Sequence, residues 1–160
     1  MNEVKILICG NSKKEEIIRI SENLKTQYNL KMLIKDRSNL TNNENIEYYF
    51  SLITDIQYFN VFVLNHDNKK DILDFIESFK SEEWGITNEC YPFFLIPSQI
   101  LSKIEANNYI DNLNKSRADE YKFKNRLFIF YNEIEKSNNN DSFKDYIINI
   151  YNCYNQDKIG

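Results

Sequence analysis

Short apolar runs alternate with helical stripes along this chain. Residues 4–9, with Val4, Ile6, Leu7 and Ile8, have the length and composition of a buried strand. Gly10 and Asn11 turn the chain, and Ile17, Ile20, Leu24 and Tyr28 then recur at helical spacing. Residues 30–34 form a second strand, and a polar loop follows at 36–44. Ile46, Tyr49, Phe50, Ile53 and Ile56 mark a second helix. Residues 61–64 are a third strand, and Ile72, Phe75, Ile76 and Phe79 mark a third helix. Residues 91–96 give a fourth strand, with Pro92 at its start and Pro97 closing it, because proline cannot donate into a central ladder. Ala106, Tyr109, Ile110 and Leu113 predict a fourth helix, and residues 127–131 a fifth strand. After a loop at 138–141, where Asp141 is placed to cap, Phe143, Tyr146, Ile147, Ile150 and Tyr154 form the last helix.

Five alternations of strand and helix predict an α/β fold. The expected architecture is a three-layer sandwich: a five-stranded, mostly parallel sheet with helices on both faces. Right-handed crossovers favour the strand order 2-1-3-4-5. The chain has 160 residues, the size of one domain, with no repeat or linker to divide it. In such a sheet ligands bind outside the strand carboxyl ends, where the strand order reverses. That point lies between the first and third strands, so the lining loops are 10–14 and 65–70.

The first of these loops is the natural phosphate cradle, and its residues argue against one. A P-loop reads G-x-x-x-x-G-K-[ST]. Gly10 matches its first glycine, but Glu15, Glu16 and Ile17 stand where the second glycine, the lysine and the hydroxyl belong. Two carboxylates there repel a phosphate. Ser12 and Glu15 also fit a capping box, which sets an internal carboxylate on the positive end of the helix. Lys13 and Lys14 are read as solvated side chains. With glycine only at 10, 85 and 160, no G-x-G-x-x-G is present. The loop lacks the acidic residues of a phosphoacceptor receiver and the hydroxyls of a flavodoxin. No nucleotide or other cofactor is expected.

Composition narrows the class further. A net charge of −4 disfavours direct nucleic-acid binding, which draws on a basic excess. Cys9, Cys90 and Cys153 are far apart, and His66 is the single histidine, so no metal site is expected. The cysteines read as reduced, buried thiols of an intracellular protein. No apolar stretch reaches the roughly 20 residues of a membrane helix. A strand beginning near Val4, and termini without lipidation signals, add to the expectation of an unanchored chain.

Two enzyme patterns are partial. Gly85 and Glu89 weakly resemble the spacing of nucleoside deoxyribosyltransferases, and Ser81, Trp84 and Glu89 that of TIR-domain NAD hydrolases. Both families place a helix after the glutamate, whereas here the fourth strand follows at once. Trp84 is read instead as packing at the end of the third helix, or as a rim contact.

The order of elements resembles a small Ras-like GTPase with one strand missing. Residues 61–64 followed by Asn65, His66 and Asp67 look like that family's fourth strand and its exit loop. After residues 91–96 the guanine-reading N-K-x-D is replaced by Pro97, Ser98, Gln99 and Ile100, and D-x-x-G is absent. Residues 5–10 running into a helix without G-K-S, residues 61–66 before 72–79, and residues 127–131 before Phe143 most resemble the centromere protein M family of inactive small GTPases. That resemblance covers nearly the whole chain in layout and hydrophobic pattern. It implies a non-catalytic nuclear scaffold of the inner kinetochore that binds a helical-repeat protein subunit and reaches DNA only through partners. Interfaces favour aromatic residues, which makes Trp84, Tyr48, Tyr49, Tyr151 and Tyr154 the candidate contact residues.

Overall fold

The computed structural model describes residues 3–52, 58–79, 92–135 and 142–159. The strands are β1 (Glu3–Ile8), β2 (Met32–Asp36), β3 (Tyr58–Val63), β4 (Phe93–Pro97) and β5 (Phe128–Tyr131). They form one sheet in the order β2-β1-β3-β4-β5. All its pairings are parallel, with Ile6 beside Ile34 and Val61, Val61 beside Phe93, and Pro97 beside Tyr131. The predicted α/β architecture and strand order are those observed.

The helices are α1 (Lys14–Gln27), α2 (Asn42–Leu52), α3 (Lys69–Glu77), α4 (Lys103–Asn114) and α5 (Phe143–Ile159). Strand alternation sends successive side chains to opposite faces, and the two faces have different cores. Val4, Ile6 and Ile8 of β1 pack with Ile17, Ile20 and Leu24 of α1 and with Phe143 and Ile147 of α5. Leu7, Phe62, Phe94 and Phe128 face the other way, against Tyr49 of α2, Ile72, Phe75 and Ile76 of α3, and Ala106 and Ile110 of α4. This second face is aromatic. Phe94 stacks on Phe128 with centroids 4.9 Å apart and on Phe62 at 5.7 Å, while Phe79 meets it edge-on at 5.6 Å. Such pairs add about 0.5–1.5 kcal/mol each beyond the area they bury.

Several expected boundaries move: β3 begins at Tyr58 rather than at residue 61, and β4 runs Phe93–Pro97 rather than 91–96. β2 begins at Met32 rather than at residue 30. The chain needs residues 28–30 to close α1: Asn29 is left-handed at φ 51, its N–H donates to the Thr26 carbonyl, and the Leu30 N–H reaches back to Lys25 at 3.0 Å. This is a Schellman closure with asparagine where glycine is usual. At the start of α5 the capping group is Ser142. Its hydroxyl accepts from the Asp145 N–H at 3.2 Å and donates to the Asp145 carboxylate at 2.7 Å. Asp141, Ile53, Ile56 and the loop at 138–141 lie outside the described residues.

Candidate functional site

The reversal in strand order falls between β1 and β3, as the topology requires. Below it, Leu7 and Ile8 end β1, and Phe62 and Val63 end β3, all fully buried. The chain continues in register on both sides, with the Cys9 N–H donating to the Val63 carbonyl at 3.0 Å. Gly10 and Asn65 then meet at the crevice outside the strand carboxyl ends, where folds of this layout bind their ligands.

Asn65 is 1% exposed, and every polar atom of its side chain is spent on this junction. Its Oδ1 accepts from the Gly10 N–H at 2.8 Å. Its Nδ2 donates to the Gly10 carbonyl at 3.0 Å and to the Ser12 carbonyl at 2.9 Å. The Asn65 carbonyl in turn accepts from the Ser12 N–H at 3.0 Å. The N–H groups of Gly10 and Ser12 are thus satisfied within the chain. A carboxamide suits this work because it presents a donor and an acceptor side by side, as a peptide group does.

Gly10 is fixed by proximity rather than by torsion. A Cβ added there would lie 2.3 Å from the Asn65 carbonyl oxygen and 2.6 Å from the His66 nitrogen. The glycine lets the β1 exit press against the β3 exit, where in a P-loop it would let backbone press against phosphate.

The expected capping box at Ser12 and Glu15 does not form. α1 begins at Lys14, and Lys13 precedes it in a left-handed conformation, φ 54 and ψ 30, with no side-chain cap. The reason is the clamp itself: Asn65 takes both backbone groups of Ser12, so the chain turns once more before the helix starts. Glu15 and Glu16 remain in the first turn of α1 and are exposed. They keep negative charge on the helix's positive end.

Lys14 is not free to serve an anion. Its ammonium lies 3.3 Å from the Asp36 carboxylate and 3.1 Å from the Ser38 hydroxyl. Ser38 donates through its hydroxyl and its N–H to the other Asp36 oxygen, at 2.6 and 3.0 Å. The Ser38 hydroxyl, with help from Lys14 and against some burial, holds the Asp36 carboxyl below the usual carboxylate range. Arg37 is engaged next door. Its Nε donates to Asn45 Oδ1 at 2.9 Å, and its guanidinium lies 4.2 Å over the Tyr48 ring.

The remaining strand ends are closed by polar contacts as well. The Ser98 N–H donates to the Tyr131 carbonyl at 2.9 Å, and the Ser98 hydroxyl and Gln99 amide both reach Asn132. The Phe143 and Lys144 N–H groups donate to the Glu133 and Ile134 carbonyls, which ties the β5 exit to α5. His66 is half-buried beside the clamp, and its Nδ1 has no hydrogen-bond partner among the described residues. Burial, against Asp71 and the Leu64 carbonyl, lowers its pKa, so the ring is neutral near neutral pH. Cys9, beneath Gly10, is buried, and burial pushes its thiol pKa far up, so it is no nucleophile.

The candidate interface residues separate. Tyr49 is wholly buried, 5.5 Å from Phe62 and 6.2 Å from Phe79 between ring centroids, and offers nothing to a partner. Its neighbour Tyr48 is half-buried at the surface. Tyr151 and Tyr154 fall on α5, with side chains outside the described residues, as is all of Trp84 and the 81–89 stretch. Among the described residues no cluster of three or more His, Cys, Asp or Glu gathers to hold a metal, and no helix is long and apolar enough to cross a membrane.

The residue that sequence reasoning missed is Asn65. In the sequence it belongs to the lining loop 65–70, with no role of its own. The usable signal was its place immediately after an apolar strand, opposite a glycine that ends the neighbouring one. No family model, curated protein or solved structure matches this chain.

Proposed function

We propose that this is a non-catalytic domain of the pseudo-GTPase kind, serving as a scaffold subunit of a protein complex. One observation carries the reading. Asn65 ties the Gly10 and Ser12 N–H groups by hydrogen bonds, and Gly10 is pressed against Asn65 in the crevice at the strand carboxyl ends where folds of this layout bind their ligands. The charge on the first turn of α1 and the engagement of Lys14 work in the same direction. A domain that keeps the layout and fills the ligand position with its own chain retains a rigid platform and its outer surface. The resemblance in element order to inactive small GTPases of the inner kinetochore makes that network the proposed assembly, and a helical-repeat subunit the proposed partner.

The test is to purify the protein from its own cells after cross-linking and identify what comes with it. Inner-kinetochore subunits with helical repeats support the assignment. A reproducible set without centromere proteins removes the kinetochore and leaves a scaffold of another assembly.

A further inference from the structure

The scaffold reading does not say which surface meets the partner, and the sheet offers one with distinct chemistry. β2 is an edge strand and pairs with β1 alone among the described residues. The backbone groups on its other side have no described strand beside them. Edge strands of this kind accept added strands unless something prevents it.

Alternation places Leu33, Lys35 and, one step past the strand, Arg37 on the side of α2. Tyr48 of α2 fixes both cations, with the Arg37 guanidinium 4.2 Å and the Lys35 ammonium 5.4 Å from its ring centroid. Arg37 is held further by Asn45 Oδ1 at 2.9 Å and by the Glu44 carbonyl at 3.3 Å. Those two contacts occupy Nε and Nη2, whereas a guanidinium carries five N–H donors. The carboxylate between the two cations in sequence, Asp36, points to the opposite side and is occupied by Lys14 and Ser38. A chain of net charge −4 therefore carries a short, preorganised cationic strip along an edge that no other described strand covers.

We propose that the β2 edge binds an extended acidic segment of a partner protein as an added strand, with carboxylates at alternate positions beside Lys35 and Arg37. Main-chain hydrogen bonds supply affinity, and the alternate side chains set register and specificity. The cations are held before binding, so little side-chain entropy is lost on contact. Alternate residues of a strand lie about 7 Å apart, which matches carboxylates to successive cations on the same face. This rests on the reading of the domain as a scaffold.

The test uses the full chain and fluorescence anisotropy with a labelled peptide alternating glutamate and valine. Controls are the lysine–valine counterpart and a glutamate–valine peptide N-methylated at alternate amides. The expected result is binding of the glutamate peptide about tenfold tighter than its lysine counterpart, weakening as salt rises. N-methylation on the pairing edge abolishes it. Lys35→Glu with Arg37→Glu reverses the preference. Lys35→Glu alone, which leaves the Arg37 contacts to Asn45 in place, weakens the glutamate peptide by about threefold to tenfold. Equal binding of both charged peptides, indifference to N-methylation, or binding of none overturns the proposal. The last outcome means that the cations only guard the edge against self-association. Undiminished recovery of cellular partners by the doubly reversed protein overturns the edge assignment but leaves the scaffold reading intact. Failure of the unaltered protein to recover any partner removes both.

Discussion

Asn65 and Asn114 do the same chemistry at opposite ends of the strands. Asn65 pairs its carboxamide with the backbone of Gly10 and Ser12 at the carboxyl end. Asn114 closes α4 and pairs its own carboxamide with both backbone groups of Phe123, accepting from the N–H at 2.8 Å and donating to the carbonyl at 3.1 Å. Arg117 completes that second clamp. It donates to the Phe79 and Tyr121 carbonyls and lies 4.3 Å over the Phe123 ring. The second clamp packs a long connection onto the aromatic core, and Phe123 is 3% exposed as a result. The first stands where folds of this layout hold their ligand. The chemistry is shared, and position alone separates the two.

Five substitutions at four positions bear on that contrast. The largest effect belongs to Gly10→Ala. Its new methyl would sit 2.3 Å from a backbone oxygen with no flexible side chain to yield, so urea denaturation is expected to show a loss of about 3 kcal/mol or more. A near-neutral substitution would mean that the two strand exits are not pressed together. Asn65→Ala follows, at about 2–3 kcal/mol, because it strands the buried Gly10 N–H and leaves two carbonyls short of a donor. Asn65→Asp keeps the acceptor but turns a carboxylate oxygen toward the Gly10 and Ser12 carbonyls, and should cost as much in the same assay.

Asn114→Ala is expected to cost about 1–2 kcal/mol, since the Phe123 groups it pairs with are only partly shielded from water. Hydrogen exchange should locate that loss in residues 115–127 and leave Gly10 and Ser12 protected. Asn65→Ala should do the reverse. Acceleration of both regions by either substitution would mean that the two clamps are one cooperative unit, against the comparison drawn above.

The smallest effect is a pH dependence beside the first clamp. The folded state holds the Asp36 pKa below its ordinary value, chiefly through the Ser38 hydroxyl. The associated stability is present above the unfolded carboxyl pKa, near 4, and is lost as pH falls through the lower folded value. Asp36→Asn should flatten that acid limb of stability against pH. An unchanged limb would show that the Lys14, Asp36 and Ser38 contacts add nothing to the folded state.

The sheet was legible because β1, β3 and β4 are continuous apolar runs, and their alternation with helical stripes leaves few topologies. The place of Glu15 and Glu16 in the first turn of α1 was legible because the pattern is local. The clamp was not, since Asn65 acts across 55 residues of sequence and the chain is rich in asparagine. The capping box at Ser12 failed for the same reason: a local motif lost to a non-local partner that took the Ser12 backbone. Tyr48 and Tyr49 are adjacent and helical, so the pattern required them to diverge. Which one points inward was decided by the rings of Phe62 and Phe79. The Schellman closure at Asn29 hid because asparagine there stands in for the expected glycine.

If the domain is a pseudo-GTPase as proposed, the crevice between β1 and β3 is closed to nucleotide. Two-dimensional amide NMR of the labelled protein, titrated with magnesium and GTP and then with magnesium and ATP, tests it most directly. The Gly10 and Ser12 amides and the Asn65 side-chain amide are expected to hold their positions up to about millimolar nucleotide. Saturable shifts of those signals at micromolar nucleotide would contradict it.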